Sequence, residues 1–267
     1  MEYPLTNIHP DAKIGEGVQI ESFSSIYENT EIGDGTWIGP NVTIMPGARI
    51  GKDCKIYPGA VISADPQDLK FEGEETLTYI GDGSVIREYV TVNKGTNDRN
   101  KTAVGKNCLL MAYVHIAHDC IIGDNCILAN SVQVAGHVVM GDYAIIGGTS
   151  GVHQFVHIGK HCIVAGGSTV LQDVPPYSKA GRSPLSYHGL NLIGLRRRGF
   201  PAEKIDRIKN MYSKLYSEGL NLTMAINDIE EGFPASEERD TIIEFVRSSE
   251  RGLIRGYRPG AGKREAE

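Results

Sequence analysis

The chain has 267 residues, of which 40% are hydrophobic, and its 33 Asp and Glu against 27 Lys and Arg leave a formal net charge of −6. That length supports a sizeable core, and the acidic balance excludes a general basic surface for non-specific nucleic-acid binding. No apolar run approaches the ~20 residues that cross a bilayer, and Met1-Glu-Tyr-Pro shows no basic stretch leading into an apolar one, so the expected compartment is the cytoplasm.

A period of six opens at Ile8. Ile14, Ile20, Ile26, Ile32, Ile38, Ile44, Ile50, Ile56 and Ile62 follow it without a gap. The same phase returns at Ile80, Ile86 and Val92, and again from Val104 to Val170, so that 25 of 28 phase positions are aliphatic. Repeats decide a fold before local propensity does. Two residues before each aliphatic position stands a second inward one, usually small, such as Ala12, Ser24, Thr36, Ala48, Ala60, Cys126 and Ser168. Two inward positions spaced by two describe a short strand with alternate side chains facing in. Three such sides make a coil of eighteen residues, and the pattern predicts a parallel β-helix over residues 1–175. All five cysteines (Cys54, Cys108, Cys120, Cys126, Cys162) fall on the small inward position. Metal ligation or disulfides are the alternatives, but the register makes them small apolar filler.

The phase fails only at Asp68, Glu74 and Asp98. These lie in two polar stretches, about 63–79 and 93–103, which read as loops that leave a coil and return to it. Long loops on a rigid scaffold tend to carry sites. Near Asp173-Val-Pro-Pro the prolines are expected to end the strand ladder. Beyond it, residues 176–267 are expected to form a small helical domain. Ile205, Ile208, Tyr212 and Leu215 share one helical face within 201–216, and further helices are expected near 222–231 and 237–255, the last with Ser236 as its N-cap. The final 256–267 segment reads as frayed.

Six of the eight histidines lie between 115 and 161 (His115, His118, His137, His153, His157, His161), none at an inward aliphatic position. Coil arithmetic groups them. His118, Gly136 and Gln154 are eighteen apart and stack in one column, while Asp119, His137 and Phe155 form the next. A solvated polar stripe is the plain alternative to a catalytic cleft.

At these residues the chain resembles the UDP-N-acetylglucosamine O-acyltransferases, hexapeptide-repeat enzymes of lipid A synthesis. The resemblance is carried by His115-Ile-Ala-His118-Asp119-Cys, Gln67-Asp68-Leu-Lys70, Ala135-Gly136-His137, Ile145-Ile-Gly-Gly, Val152-His153-Gln154-Phe155, Gln172-Asp173-Val-Pro-Pro, Arg197-Arg198-Gly-Phe200 and Arg251-Gly-Leu-Ile-Arg255. It implies a mainly β chain, a left-handed parallel β-helix followed by a small C-terminal α-helical domain, assembled as a homotrimer. It implies transfer of a (R)-3-hydroxyacyl chain from acyl carrier protein to the 3-OH of UDP-N-acetylglucosamine, with no cofactor and no metal. A sugar hydroxyl is a weak nucleophile and needs a base. By the match to the family that base is His118, Asp119 orients it, and the Gly136 N–H meets the oxyanion. Gln67, Asp68, Lys70, His115, His137, His153 and Gln154 correspond to positioning groups, and Asn191, Arg197 and Arg198 to nucleotide contacts. Ile193 stands where relatives often carry an acid. Ile163 and Gly166 are the candidates for the residues that limit acyl length. Arg196 to Lys214 holds seven basic and two acidic residues. That stretch is either a solvated helix face or a dock for the acidic carrier protein. Other readings are the related N-acyltransferases, which usually carry an additional N-terminal domain, a γ-carbonic-anhydrase-like zinc enzyme, and a β-helix without catalysis.

Overall fold

The computed structural model describes residues 3–216 and 221–256. Short strands, mostly of two residues, recur every six residues and stack into three sheets, the walls of a triangular prism. Along the coils each strand pairs with the third strand before or after it in the chain, as in Asn7 with Ser25 and Ile8 with Ile26. The aliphatic phase residues from Ile20 to Val170 are buried, and Ile8 and Ile14 are partly so.

The small inward position does more than fill space. Ser24 Oγ donates to Gly39 O (2.8 Å), and accepts Val42 N at 3.1 Å. Thr36 and Ser84 bridge coils in the same way. The thiols of Cys54, Cys108, Cys120 and Cys126 donate to the carbonyls of Gly81, Gly123, Ala135 and Gly141 at 3.1–3.3 Å. All five cysteines are free and buried. Burial pushes the Cys120 and Cys162 thiols up to about 12, which keeps them protonated and inert.

At the corners the chain must turn within two residues, and the second adopts a left-handed conformation. One corner column carries Asn29, Asp119, His137 and Phe155 at φ of 51° to 64°; another carries Asp53, Asn107, Asn125, Tyr143 and His161. Asn and Asp tolerate this region best among residues with a side chain.

The two insertions are narrower than the sequence suggests, because the flanking strands lengthen. Val61–Ala64 and Leu77–Ile80 bound the first, Thr91–Asn93 and Lys101–Val104 the second. The prolines do not end the ladder on every face. Ser178–Gly181 continues the third sheet beside Ile163–Val164, then pairs antiparallel with Ser186–Leu190, which pairs with Arg255–Gly256. Gly256 is therefore in a strand, and the remainder of the expected frayed tail, 257–267, lies outside the described residues.

Among the described residues four helices follow: α1 (Leu192–Arg197), α2 (Ala202–Leu215), α3 (Leu222–Gly232) and α4 (Glu237–Arg247). Ser236 caps α4 by accepting Arg239 N at 3.2 Å. The helix stops at Arg247 rather than 255, because Gly252 turns left-handed (φ 71°) and Leu253 and Ile254 are drawn into strand contacts with Asp173. The helices bury Ile205, Ile208, Met211, Tyr212, Leu215, Ile229 and Ile242 in a second core, and the Tyr212 hydroxyl donates to Pro176 O at the junction.

Candidate active site

Strand His115–Ile116 points Ile116 into the prism and His115 out, and the chain then rounds a corner through His118 and Asp119. Asp119 is fully buried, and the second insertion folds over it. Thr96 N, Thr96 Oγ1 and Arg99 N donate to its carboxylate at 3.0, 2.7 and 3.2 Å, and Arg99 Nη1 donates to its carbonyl at 2.9 Å. Its own N–H donates to Thr102 Oγ1. Burial works against the charged carboxylate, but the bonds from His118, Thr96 and Arg99 outweigh it and hold the group below its ordinary range.

His118 Nδ1 lies 2.8 Å from Asp119 Oδ2. An ionised carboxylate only accepts, so Nδ1 carries the proton and the Nε2 lone pair is free to act as a base. The ring covers Gly136: a Cβ there would lie 2.7 Å from His118 Cε1 and 2.8 Å from Nε2. The Gly136 N–H donates to no acceptor among the described residues. In the neighbouring column His137 stands edge-on to His118 at 5.0 Å and stacks on Phe155 at 4.4 Å. His137 Nδ1 is 3.1 Å from Asp98 Oδ2, off the line of a hydrogen bond. Of the expected columns, His118 meets Gly136, and His137 meets both Asp119 and Phe155.

A groove of about 560 Å³ runs beside this corner, lined by Gln67, His115, His118, Gly136, His153 and Gln154, with Gln133, Gly151, Thr169 and Leu171 along its length. His115 Nδ1 bonds Thr91 Oγ1 at 2.7 Å; burial, then the nearby His118, lowers its pKa. Asp68, on the first insertion, brings Oδ2 to 4.0 Å from His118 Nε2. Lys70 is exposed and outside the lining. A smaller hollow of about 290 Å³, lined by Asp11, Lys13, Glu28, Asn29, Thr30 and Glu31, holds no histidine.

Other expected residues gather elsewhere. Asn191 is the N-cap of α1, accepts Gly194 N and donates to His161 O at 3.0 Å. Arg198 lies 5.1 Å over the Tyr143 ring and donates to Tyr143 O. Arg197 is exposed beside it. Ile163 is on the third sheet and Gly166 at the next corner, and neither lines the groove within one chain. Thr96, Arg99, Thr91 and Gly151 carried no motif of their own and escaped the sequence reading. Arg251 was visible only as part of a motif without a role. His118, Asp119 and His137 bring donor atoms within 4.8 Å of one another, close enough to share an ion. Asp119 Oδ2, however, already accepts from both Thr96 Oγ1 and His118 Nδ1.

A prism of hexapeptide coils with a histidine–carboxylate pair at one corner, facing a groove, defines a hexapeptide-repeat transferase. Sequence profiles agree: hexapeptide repeats match residues 29–64 and 101–136, the hexapeptide repeat of succinyl-transferase matches 137–172, and domain 2 of UDP-N-acetylglucosamine O-acyltransferase matches 173–254. The chain is 50% identical over 264 residues to the acyl-[acyl-carrier-protein]–UDP-N-acetylglucosamine O-acyltransferase of Sulfurihydrogenibium sp., covering 98% of this chain and 96% of that one. It is 47% identical to the Trichlorobacter lovleyi enzyme of the same name, covering 93% and 97%. The solved UDP-N-acetylglucosamine acyltransferase of Bacteroides fragilis superposes with a TM-score of 0.93 at 49% identity, over 96% of this chain and all of that one. The chain belongs to the UDP-N-acetylglucosamine O-acyltransferase family, and its coils form the left-handed parallel β-helix of that family.

Proposed function

We propose that this protein moves a (R)-3-hydroxyacyl chain from acyl carrier protein to the 3-OH of UDP-N-acetylglucosamine, the first step of lipid A synthesis. The observation that carries the reading is His118, fixed by Asp119 through Nδ1 with Nε2 free at the groove, above Gly136. The 3-OH attacks the thioester carbonyl as His118 Nε2 takes its proton. The Gly136 N–H donates to the resulting oxyanion. Collapse of the tetrahedral intermediate breaks the C–S bond, and the departing thiolate recovers the proton from His118. Asp119 stabilises the imidazolium in between.

Gln67, Asp68, Lys70, His115, His137, His153 and Gln154 position the sugar, the diphosphate or the acyl hydroxyl, while Asn191, Arg197 and Arg198 hold the nucleotide. The latter group stands on the helical side, apart from the groove of its own chain, which supports a homotrimer whose site is completed by a neighbouring copy. Ile163 and Gly166, which lie off the groove within one chain, would limit acyl length at such a junction. The division into a β-helix of 1–175 and a C-terminal helical domain of 176–267 is supported by a second core among the helices, while Ala180 and Ile254 pack into the first. No helix among the described residues is long and apolar enough to cross a membrane, which fits a cytoplasmic enzyme. The test is His118→Ala: the variant should fold normally and lose 10²–10⁴-fold in kcat, the usual range for a lost general base. Retention of more than about a tenth of wild-type kcat removes His118 from that role.

A further inference from the structure

The segment after α4 is stitched to the last coil through Asp173. Asp173 N donates to Gly252 O at 2.9 Å, Ile254 N donates to Asp173 O at 3.0 Å, and Ser249 Oγ donates to Asp173 Oδ2 at 2.6 Å. Asp173 Oδ1 also accepts His157 N, so one buried residue holds the coil and the tail together.

This stitching places Arg251 beside the groove. Its Nη2 lies 2.9 Å from His153 Nδ1 and 2.9 Å from Gln154 O. A guanidinium has donors and no acceptor. His153 Nδ1 must therefore accept, and the ring proton sits on Nε2. A competing contact exists: the same Nδ1 lies 3.2 Å from Gln154 O, and that bond needs a proton on Nδ1. The two contacts require opposite tautomers, and Arg251 decides between them. It also occupies Gln154 O, the acceptor that the other tautomer would use.

We propose that Arg251 is a positioning residue that fixes His153 as the Nε2–H tautomer, so that this point of the groove presents a hydrogen-bond donor to an oxygen of the nucleotide-sugar acceptor. The tautomer half stands on contacts within the chain; only the identity of the recipient rests on the acyl-transfer reading. Without Arg251, the ring turns its proton toward Gln154 O and offers a lone pair to the substrate oxygen. Two acceptors then face each other.

The experiment is a long-range ¹H–¹⁵N correlation spectrum of the full-length, substrate-free protein labelled at histidine nitrogen, with His153 assigned by its loss in His153→Gln. Wild type should show a protonated Nε2 and an unprotonated Nδ1. Arg251→Met, which keeps the length of the aliphatic stem, should reverse the two, and added guanidinium chloride at non-denaturing millimolar concentration should restore the wild-type pattern. In turnover, KM for the acceptor should rise about tenfold in Arg251→Met, more than kcat falls, as expected for one lost charge-independent hydrogen bond. A protonated Nδ1 in wild type overturns the proposal by itself, even if the variant does not fold. So does an unchanged tautomer in Arg251→Met. A reversed tautomer with unchanged KM upholds the role of Arg251 and overturns the contact between His153 and the acceptor.

Discussion

Gly136 is glycine because the imidazole of His118 fills the space that a methyl group would need. In Gly136→Ala the new Cβ, 2.7 Å from Cε1, must push the ring away from its bond to Asp119. The expected result is an intact fold and a kcat lowered about 10²-fold, since a misplacement of ~1 Å costs that much; wild-type kcat would show that the ring has another productive seat. His161 makes a different demand. It is stacked between Tyr143 at 4.9 Å and Tyr177 at 5.7 Å, and burial, helped by Arg198 and Lys160, lowers its pKa from 6.5 to about 4. Between those values the unfolded chain binds the proton and the native chain does not, so stability falls as pH drops from about 6.5 towards 4. Asp119, whose pKa is held down, adds loss in the same direction only at lower pH, below the ordinary carboxylate range, where the unfolded chain takes up the proton first. His161→Phe keeps the stack and removes one of the two. Its urea-unfolding free energy should fall less than that of wild type between pH 7 and pH 4.5, by ~1–2 kcal/mol after allowing for partial solvation. Identical pH slopes would mean that His161 titrates freely in the native protein.

The second insertion matters as an element because it closes over a buried carboxylate. Thr96→Val removes the hydroxyl that donates to Asp119 Oδ2 at 2.7 Å and leaves that oxygen with one partner fewer. A cost of ~1–2 kcal/mol in stability is expected from chemical unfolding. A drop of about tenfold in kcat should accompany it as His118 loses a fixed neighbour; loss of stability without loss of rate would assign the loop to structure alone. These contacts show where the sequence stops being readable. The columns of His118, Gly136 and Gln154 could be counted because no insertion separates them. Asp119 meets Thr96 and Arg99 across a coil that the insertion lengthens: Thr91 pairs with His115, 24 residues on, where an uninterrupted coil pairs Asn7 with Ser25. Counting by eighteen passes over those partners. The inward positions were legible throughout, because alternation along a short strand dictates them. The short α1 and the Ser178–Gly181 and Ser186–Leu190 hairpin were not, since neither is long enough to repeat a period. The overrun of α4 has another cause: Leu253 and Ile254 satisfy a helical pattern and a strand contact equally well, and Asp173 selects the strand.

The net charge of −6 conceals a basic helix. Arg207 and Lys209 are exposed on α2, while Lys204 is engaged with Glu238 and Arg198 is turned onto Tyr143. An acidic carrier protein would be steered to the exposed pair. Arg207→Glu with Lys209→Glu should raise KM for the carrier-bound donor about tenfold and weaken its salt dependence, with kcat near wild type; an unchanged KM would place the docking surface elsewhere. The corner columns bear on the molecule's history as much as on its chemistry. A left-handed backbone costs a residue with a side chain on the order of 1 kcal/mol, less for Asn and Asp, and glycine would relieve that cost only against its own larger loss of chain entropy. Asp119 and His137 occupy two such places, at φ of 59° and 64°. Glycine at position 119 would relax the corner but strand the Thr96 and Arg99 donors that now meet its carboxylate, so backbone ease and polar satisfaction pull against each other there and thermal selection has no free gain to take.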